Sequence, residues 1–394
     1  MSSPEVPTTP CPVCEADVPA GAFCGYCGSH LVLQRGDGPP WLRLHEFSAA
    51  PGEHVLRPSV ASSLFPHLHH RSQTPFRVGL VALVAALVAF AVLRWQAPLV
   101  AVSALGLPVL FHLYLAEADA FKDLPRRALL AAAVLAVALG IGWASLTGEI
   151  IARSYDVAFG SGMEFKQPLW VGVAVPVGGA LLMLIPAVLS RIARVGSRES
   201  LDGFVIGAVA AMAFTAAATL TRLAPQFSTG LITNRPVGVL IAEAGIRGVA
   251  MSLTAAAAGG MVGAALWFTK PAPEHQHPGQ ALARPLPALA FVVITYAALG
   301  LVDASPAPQS AQLVVHLVLA LTLMLALRLV LHMALLREAP DPITREPLLC
   351  EYCSHVVPDM AFCPSCGVAT RASSRSSRSA RRRMRPVRID PGKP

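Results

Sequence analysis

Eight apolar runs, each long enough to cross a bilayer, occupy the middle of this chain: residues 78–93, 97–115, 128–147, 168–189, 203–220, 248–269, 285–303 and 311–336. About 20 apolar residues suffice to span the hydrocarbon core as a helix. In lipid the backbone of such a segment must satisfy its own hydrogen bonds, which a helix does. The runs therefore predict an all-α polytopic membrane protein of about eight transmembrane helices. Composition agrees: 54% of residues are hydrophobic and only 14% charged, with a mean hydropathy of +0.56. A soluble domain carries about 25% charged residues. The first run is short, and Arg77 and Arg94 are placed to snorkel to the interfaces at its ends. If a short run is re-entrant, the count falls to six or seven.

The eight cysteines form one pattern written twice. Cys11 and Cys14 are followed by Cys24 and Cys27; Cys350 and Cys353 are followed by Cys363 and Cys366. A Cys-x2-Cys pair puts two thiolates on one tight turn, and two facing turns make a tetrahedral S4 cage that suits Zn2+. Iron fits the same cage, but zinc is its usual structural occupant. The copies agree beyond the ligands: Val18-Pro19 matches Val357-Pro358, and Ala22-Phe23 matches Ala361-Phe362. Gly28 and Gly367 each follow the last ligand, where a knuckle often needs positive φ. Each module resembles the short zinc ribbons at the ends of many prokaryotic proteins. Two structural zinc ions are expected, bound by Cys11, Cys14, Cys24, Cys27 and by Cys350, Cys353, Cys363, Cys366. The competing reading is two pairs of disulfides, which belong to an oxidising compartment. The residues before Cys11 are polar and proline-rich and do not read as a signal peptide. A closed S4 shell leaves no open position for water or substrate, so a catalytic zinc is not expected.

These features divide the chain into a ribbon (1–30), a flexible linker rich in Pro, Gly, Ser and His (31–76), a helical bundle (77–337), a second ribbon with a short linker (338–369) and a basic disordered tail (370–394). An even number of spans puts both termini on one side. Reduced thiolates place that side in the cytosol of a plasma-membrane protein. The positive-inside rule votes the same way, through Lys122, Arg126 and Arg127, through Arg191, Arg194 and Arg198, and through the tail. Fewer basic residues, among them Arg153, Lys166, Arg222 and Arg235, fall in the outer loops. The tail has too few apolar residues to fold alone, and its charge suits anionic lipid headgroups better than nucleic acid.

Charges inside a span are costly unless paired. Glu243 and Arg247 stand four apart near the start of the sixth span and read as a structural ion pair. Arg328 and His332 are also at helical spacing, with snorkelling as the simplest account; His316 reads as a hydrogen-bonded packing residue. The groups His67, His69, His70 and His275, His277 sit in proline-rich loops, a poor setting for metal geometry.

Residues 168–269 resemble the PrsW-type intramembrane protease family. The anchor is Asp202-Gly203-Phe204-Val205-Ile206-Gly207, followed by Ala213-Phe214. The resemblance implies acid–base groups in the membrane, and this chain departs from it at each. The family's paired glutamates fall on Gly178 and Gly179, its lysine on Leu182, its later glutamate on Ala218 and its histidine on Ala250; only Thr254 of the last motif remains. Glycine and alanine can neither move a proton nor bind a metal. The implied protein is a pseudo-protease.

Three functions compete. The first is a non-enzymatic membrane scaffold or regulator whose ribbons dock a cytosolic or membrane protein. The second is an intramembrane hydrolase using residues such as Glu243 with His316 or His332. The third is a small-solute transporter, with Gly259-Gly260, Pro176 and Pro186 breaking helices near a substrate. No phosphate loop, dinucleotide fingerprint or nucleophile elbow is present.

Overall fold

A computed structural model describes residues 7–32, 60–66, 70–118, 123–155, 166–193, 199–227, 233–268, 284–338, 346–350, 352–370 and 373–384. Among these, eight helical segments are long and apolar enough to cross a membrane. Their helices are α2 (His70–Val92), α3 (Gln96–Glu117), α4 (Arg126–Tyr155), α5 (Lys166–Ile192), α6 (Ser200–Leu223), the pair α7 (Val237–Ala244) and α8 (Met251–Trp267), α9 (Pro285–Asp303) and α10 (Gln309–Arg337). The short helix α1 (Val60–Leu64) precedes them.

The sixth span differs from its prediction. It runs Val237–Trp267, starting well before residue 248, because a single π-helical turn at Gly245–Ala250 joins α7 to α8 without a break. Glu243 and Arg247 therefore lie inside a helix. Gly259-Gly260 and Pro176 with Pro186 interrupt nothing: α8 and α5 run through them.

Two spans form the centre. The span from Ser200 is 78% buried and the span from Val237 is 83% buried, while Thr74–Val92 is only 17% buried. Small residues explain the contact. Gly203 and Gly207 on α6 face Gly263 and Gly259 on α8, and a Cβ at any of the four would collide with a facing backbone carbonyl. Two Gly-x3-Gly stripes thus let the backbones touch, a packing mode suited to lipid, which gives helices no hydrophobic reason to associate. Ala211 continues the seam, its methyl beside Gly259, and Ala210, Ala255 and Ala258 on the same two helices are fully buried. The outer helices present Val81, Val134, Ile294 and Val318 outward, the side chains that lipid would cover.

The linker assigned to 31–76 is in part a folded element. Residues 60–65 form α1 and a turn whose Leu64 and Phe65 are fully buried. Phe65 packs on Phe76, Phe111 and Tyr114, with ring centroids 5.1, 6.2 and 5.3 Å apart. The hydroxyl of Tyr114 donates to the carbonyl of Pro66 at 2.9 Å. This helix also corrects the expectation for Arg328. Its side chain does not snorkel: it is fully buried in α10, and its guanidinium donates to Ser62 Oγ at 2.6 Å. His332 is likewise enclosed rather than at an interface.

Each ribbon is a two-stranded antiparallel hairpin followed by a second knuckle. β1 (Thr8–Pro10) pairs with β2 (Asp17–Pro19), and β3 (Pro347–Leu349) pairs with β4 (Val356–Pro358). The tail differs from the disordered stretch expected of it. Arg375–Arg383 form a helix, α11, whose N-cap Ser374 accepts from the amide of Ser377. The helix is basic along its length, so docking requires carboxylates, and three supply it. The amide of Ser376 donates to Asp123 at 3.0 Å. Arg378 donates to Glu199 at 2.7 Å, and Arg382 to Asp359 at 3.0 Å. Asp123 precedes α4, Glu199 precedes α6 and Asp359 belongs to the second ribbon. Glu338, at the end of α10, accepts from the amide of Ser200 at 3.1 Å. Both ribbons and α11 therefore gather at one end of the bundle.

Candidate metal centres

The fold brings all eight predicted ligands into two clusters of four. Within each, one sulfur per residue lies within 4.8 Å of the others. Cys11 and Cys27 sulfurs are 3.7 Å apart, as are those of Cys14 and Cys24. In the second cluster Cys350–Cys366 is 3.8 Å and Cys353–Cys363 is 3.9 Å. A tetrahedral S4 cage with metal–sulfur bonds of about 2.3 Å has edges of about 3.8 Å. A disulfide needs about 2.05 Å, and all eight thiols are free. Each cluster could hold a metal ion.

Local backbone geometry sets the sulfurs. Glu15 and Ser354 close the first knuckle of each ribbon at φ 59° and 58°, and Gly28 and Gly367 close the second at 74° and 75°. The glycines meet the expected need for positive φ. Amides of Val13 and Tyr26 point at Cys11 and Cys24 sulfurs at 3.4 Å, an arrangement that stabilises thiolate.

Four neighbouring thiols cannot ionise independently. Hydrogen bonds from Cys24, then Cys27, hold the Cys14 thiol down to about 2. The same contact with Cys14 pushes Cys24 up to about 12, and Cys27 is pushed beyond the usual thiol range by Cys14 and Cys24. In the second cluster Cys350 is held well down, chiefly by Cys363, while Cys363 is pushed up to about 12 by Cys350. Discharging a full set of thiolates therefore calls for a cation between them.

The sequence presents the ribbons as separate modules, but the structure joins them. The amides of Ala22 and Phe23 both donate to the carbonyl of Pro364 at 3.0 Å, and the amide of Phe362 donates to the carbonyl of Gly25 at 2.9 Å. Met360 of the second ribbon is 2% exposed and packs in the apolar cluster of the first, with Val18, Cys11 and Cys24. Gly28 and Gly367 are each capped by the other ribbon's phenylalanine, Phe362 and Phe23. The duplicated Phe and Gly are visible in the sequence as one repeat. Their exchange across a pseudo-twofold contact is not, since nothing local says that two distant copies meet.

The two sites also differ. The hydroxyl of Ser29 lies 2.9 Å from Cys27 sulfur and 3.3 Å from Cys11 sulfur. The matching residue in the second ribbon is the apolar Val368.

Among the interior polar groups, Glu243 bonds Arg247 at 3.3 Å as expected, and also Arg235 at 2.6 Å. The polar partner of His316 is Asp303, whose Oδ1 lies 2.9 Å from Nε2, while Glu243 is bonded to the two arginines. The His67, His69 and His275, His277 positions lie outside the described residues, as does the side chain of His70. Gly179, Ala218 and Thr254, three positions onto which the PrsW-type resemblance places acid–base groups or their neighbours, line one cavity. Gly178 and Gly179 have the indole of Trp143 against them, at 2.7 and 3.0 Å from where a Cβ would be. No protein-family model, curated protein or solved structure matches the chain.

Proposed function

We propose that this chain is a non-enzymatic scaffold or regulator of the plasma membrane, with both termini in the cytosol and one structural Zn2+ in each four-cysteine site. The observation that carries this reading is the ribbon pair. Two closed S4 sites, far apart in sequence, are fused into one module that α11 ties to the loop ends of the bundle. Such an arrangement favours presenting a rigid surface to a protein partner. It does not favour turning over a substrate at the metal, because four sulfurs leave no open coordination position.

The pseudo-protease reading of the bundle fits the same function. Where the family has paired glutamates, this chain has two glycines with the Trp143 indole packed on them. Glu243 is shared between two arginines, Arg235 and Arg247, so both carboxylate oxygens are already engaged in structural contacts.

The test is cross-linked capture from membranes, comparing wild type with the pair Cys24→Ser and Cys27→Ser. A partner set held by wild type and lost by the variant is expected. An unchanged partner set would remove the ribbons from the docking role. The hydrolase alternative is checked by complementing a deletion strain with Glu243→Gln. Function should return; loss of a defined cleavage product restored only by wild type would favour the hydrolase.

A further inference from the structure

Helices α3 and α4 each pack on α6 but scarcely on one another. The space between them is a groove of about 470 Å³, within the range of ligand pockets, about 300–1,000 Å³. Phe111 and Leu115 of α3 form one wall, Leu129 and Ala133 of α4 the other, and Met212 and Ala213 of α6 the floor. The groove opens sideways: Leu130, which also lines it, is 64% exposed on the surface that lipid would cover.

Charge is placed at one end of this groove. Arg126, the first residue of α4, lines it and is exposed. From Arg126 the lining reaches Ala133, about 10 Å further along the helix. Arg126 stands at the ribbon end of the bundle, because the nearby Asp123 accepts from the amide of Ser376 in α11. That bond also engages the acid closest to Arg126 in sequence. Among the described residues that line the groove none is acidic, and His112 is the one polar side chain besides Arg126. A span's first residue lies at the bilayer interface, at the level of lipid phosphates, and the guanidinium fork matches a phosphate. A second groove, lined by Leu80, Val84 and Leu253 among others, has no charged side chain. Only the first offers a headgroup something to hold.

We propose that this groove seats an acyl chain of an anionic phospholipid from the leaflet on the ribbon side, with the lipid phosphate on the Arg126 guanidinium. A free anion would leave the apolar walls uncovered, and a plain hydrocarbon would leave Arg126 without an acceptor. A zwitterionic phospholipid would bring an ammonium for which the lining offers no carboxylate. The seated lipid lies beside the segment that carries Asp123, and so braces the carboxylate on which α11 docks. The site does not depend on what the ribbons bind.

The experiment is photolabelling of the full-length protein in phosphatidylcholine nanodiscs. A trace of phosphatidylglycerol or of phosphatidylcholine, each with a photoactivatable acyl chain, is added, and the labelled peptides are mapped. Mapping separates the groove from the basic tail, and labelling of the outward face of α9 and α10 normalises the signal. A basic residue near the surface favours an anionic lipid by about fivefold. Phosphatidylglycerol should therefore label the groove at least about fivefold more than phosphatidylcholine. Arg126→Gln should bring the two lipids to parity, and Arg127→Gln, outside the lining, should not. Ala133→Phe, which fills the groove without touching a charge, should remove groove labelling by both. Excess glycerophosphate, a headgroup without chains, should not compete. The proposal fails if wild type shows no preference, or if the preference survives Arg126→Gln. It fails equally if groove labelling survives Ala133→Phe, or if glycerophosphate displaces the lipid, which would make this a plain anion site. Where Ala133→Phe does not fold, Arg126→Gln against Arg127→Gln decides.

Discussion

The amide of Phe362 donates to the carbonyl of Gly25 across 2.9 Å, joining two residues separated by nearly the whole chain. This bond lies at the centre of the ribbon pair. It means that the ends of the chain stabilise each other, and that damage to one metal site should be felt at the other.

Purified protein should carry two zinc ions per chain, one for each cluster of four cysteines. Replacing Cys24 and Cys27 by serine should remove one ion and leave the bundle inserted. Elemental analysis of the detergent-solubilised protein checks the stoichiometry; a metal-free preparation with oxidised cysteines would refute it. Because Met360 is buried in the first ribbon, the remaining ion should also exchange faster with a chelator than in wild type.

Ser29→Ala should act chiefly on the first site. Its hydroxyl reaches two sulfurs, and the second site has Val368 in its place. Outer-shell hydrogen bonds of this kind are worth about 10–100-fold in metal affinity. Competition with a chromophoric chelator should show the first site weakened by much more than the second.

Gly28→Ala and Gly367→Ala should destabilise the ribbon pair twice over. A side chain at positive φ costs about 1–2 kcal/mol, and the new methyl meets Phe362 or Phe23 of the other ribbon. Glu15→Gly, at φ 59°, should be neutral or stabilising. The temperature at which zinc is released orders the three variants.

Glycines in the bundle should divide by position. Gly207→Ala places a methyl on the carbonyl of Gly259 and should lower the melting temperature in detergent. Gly142→Ala meets nothing within 4 Å and gains the helix preference of alanine, about 0.5–1 kcal/mol. Equal effects from the two would contradict the close α6–α8 approach.

Arg378→Ala and Arg382→Ala should free the tail helix. Arg378 is buried against Glu199, and Asp359, the partner of Arg382, is 1% exposed. Removing one partner of a buried pair costs about 3–5 kcal/mol, more than a nine-residue helix can supply alone. Limited trypsin digestion should cut within 375–383 faster in either variant, with the bundle intact. Reporters fused after residues 30 and 370 should give the same cytosolic signal.

What the sequence determined by itself was whatever depends on neighbours along the chain. Runs of apolar residues set the eight spans because a helix satisfies its own backbone. The Cys-x2-Cys spacing set the two knuckle pairs because the ligands are local to a turn, and Gly28 and Gly367 were legible for the same reason. Only the tertiary structure decided which distant elements meet. It placed the second ribbon on the first, laid α11 on Asp123, Glu199 and Asp359, and seated α1 over Arg328. It gave His316 to Asp303 rather than to Glu243. It also turned Gly203 and Gly207, which read as a family anchor, and Gly259, which read as part of a helix break, into one packed seam with Gly263. Each of these is a long-range pairing of charge or shape, for which any one partner's local sequence offers several candidates, and packing selects one.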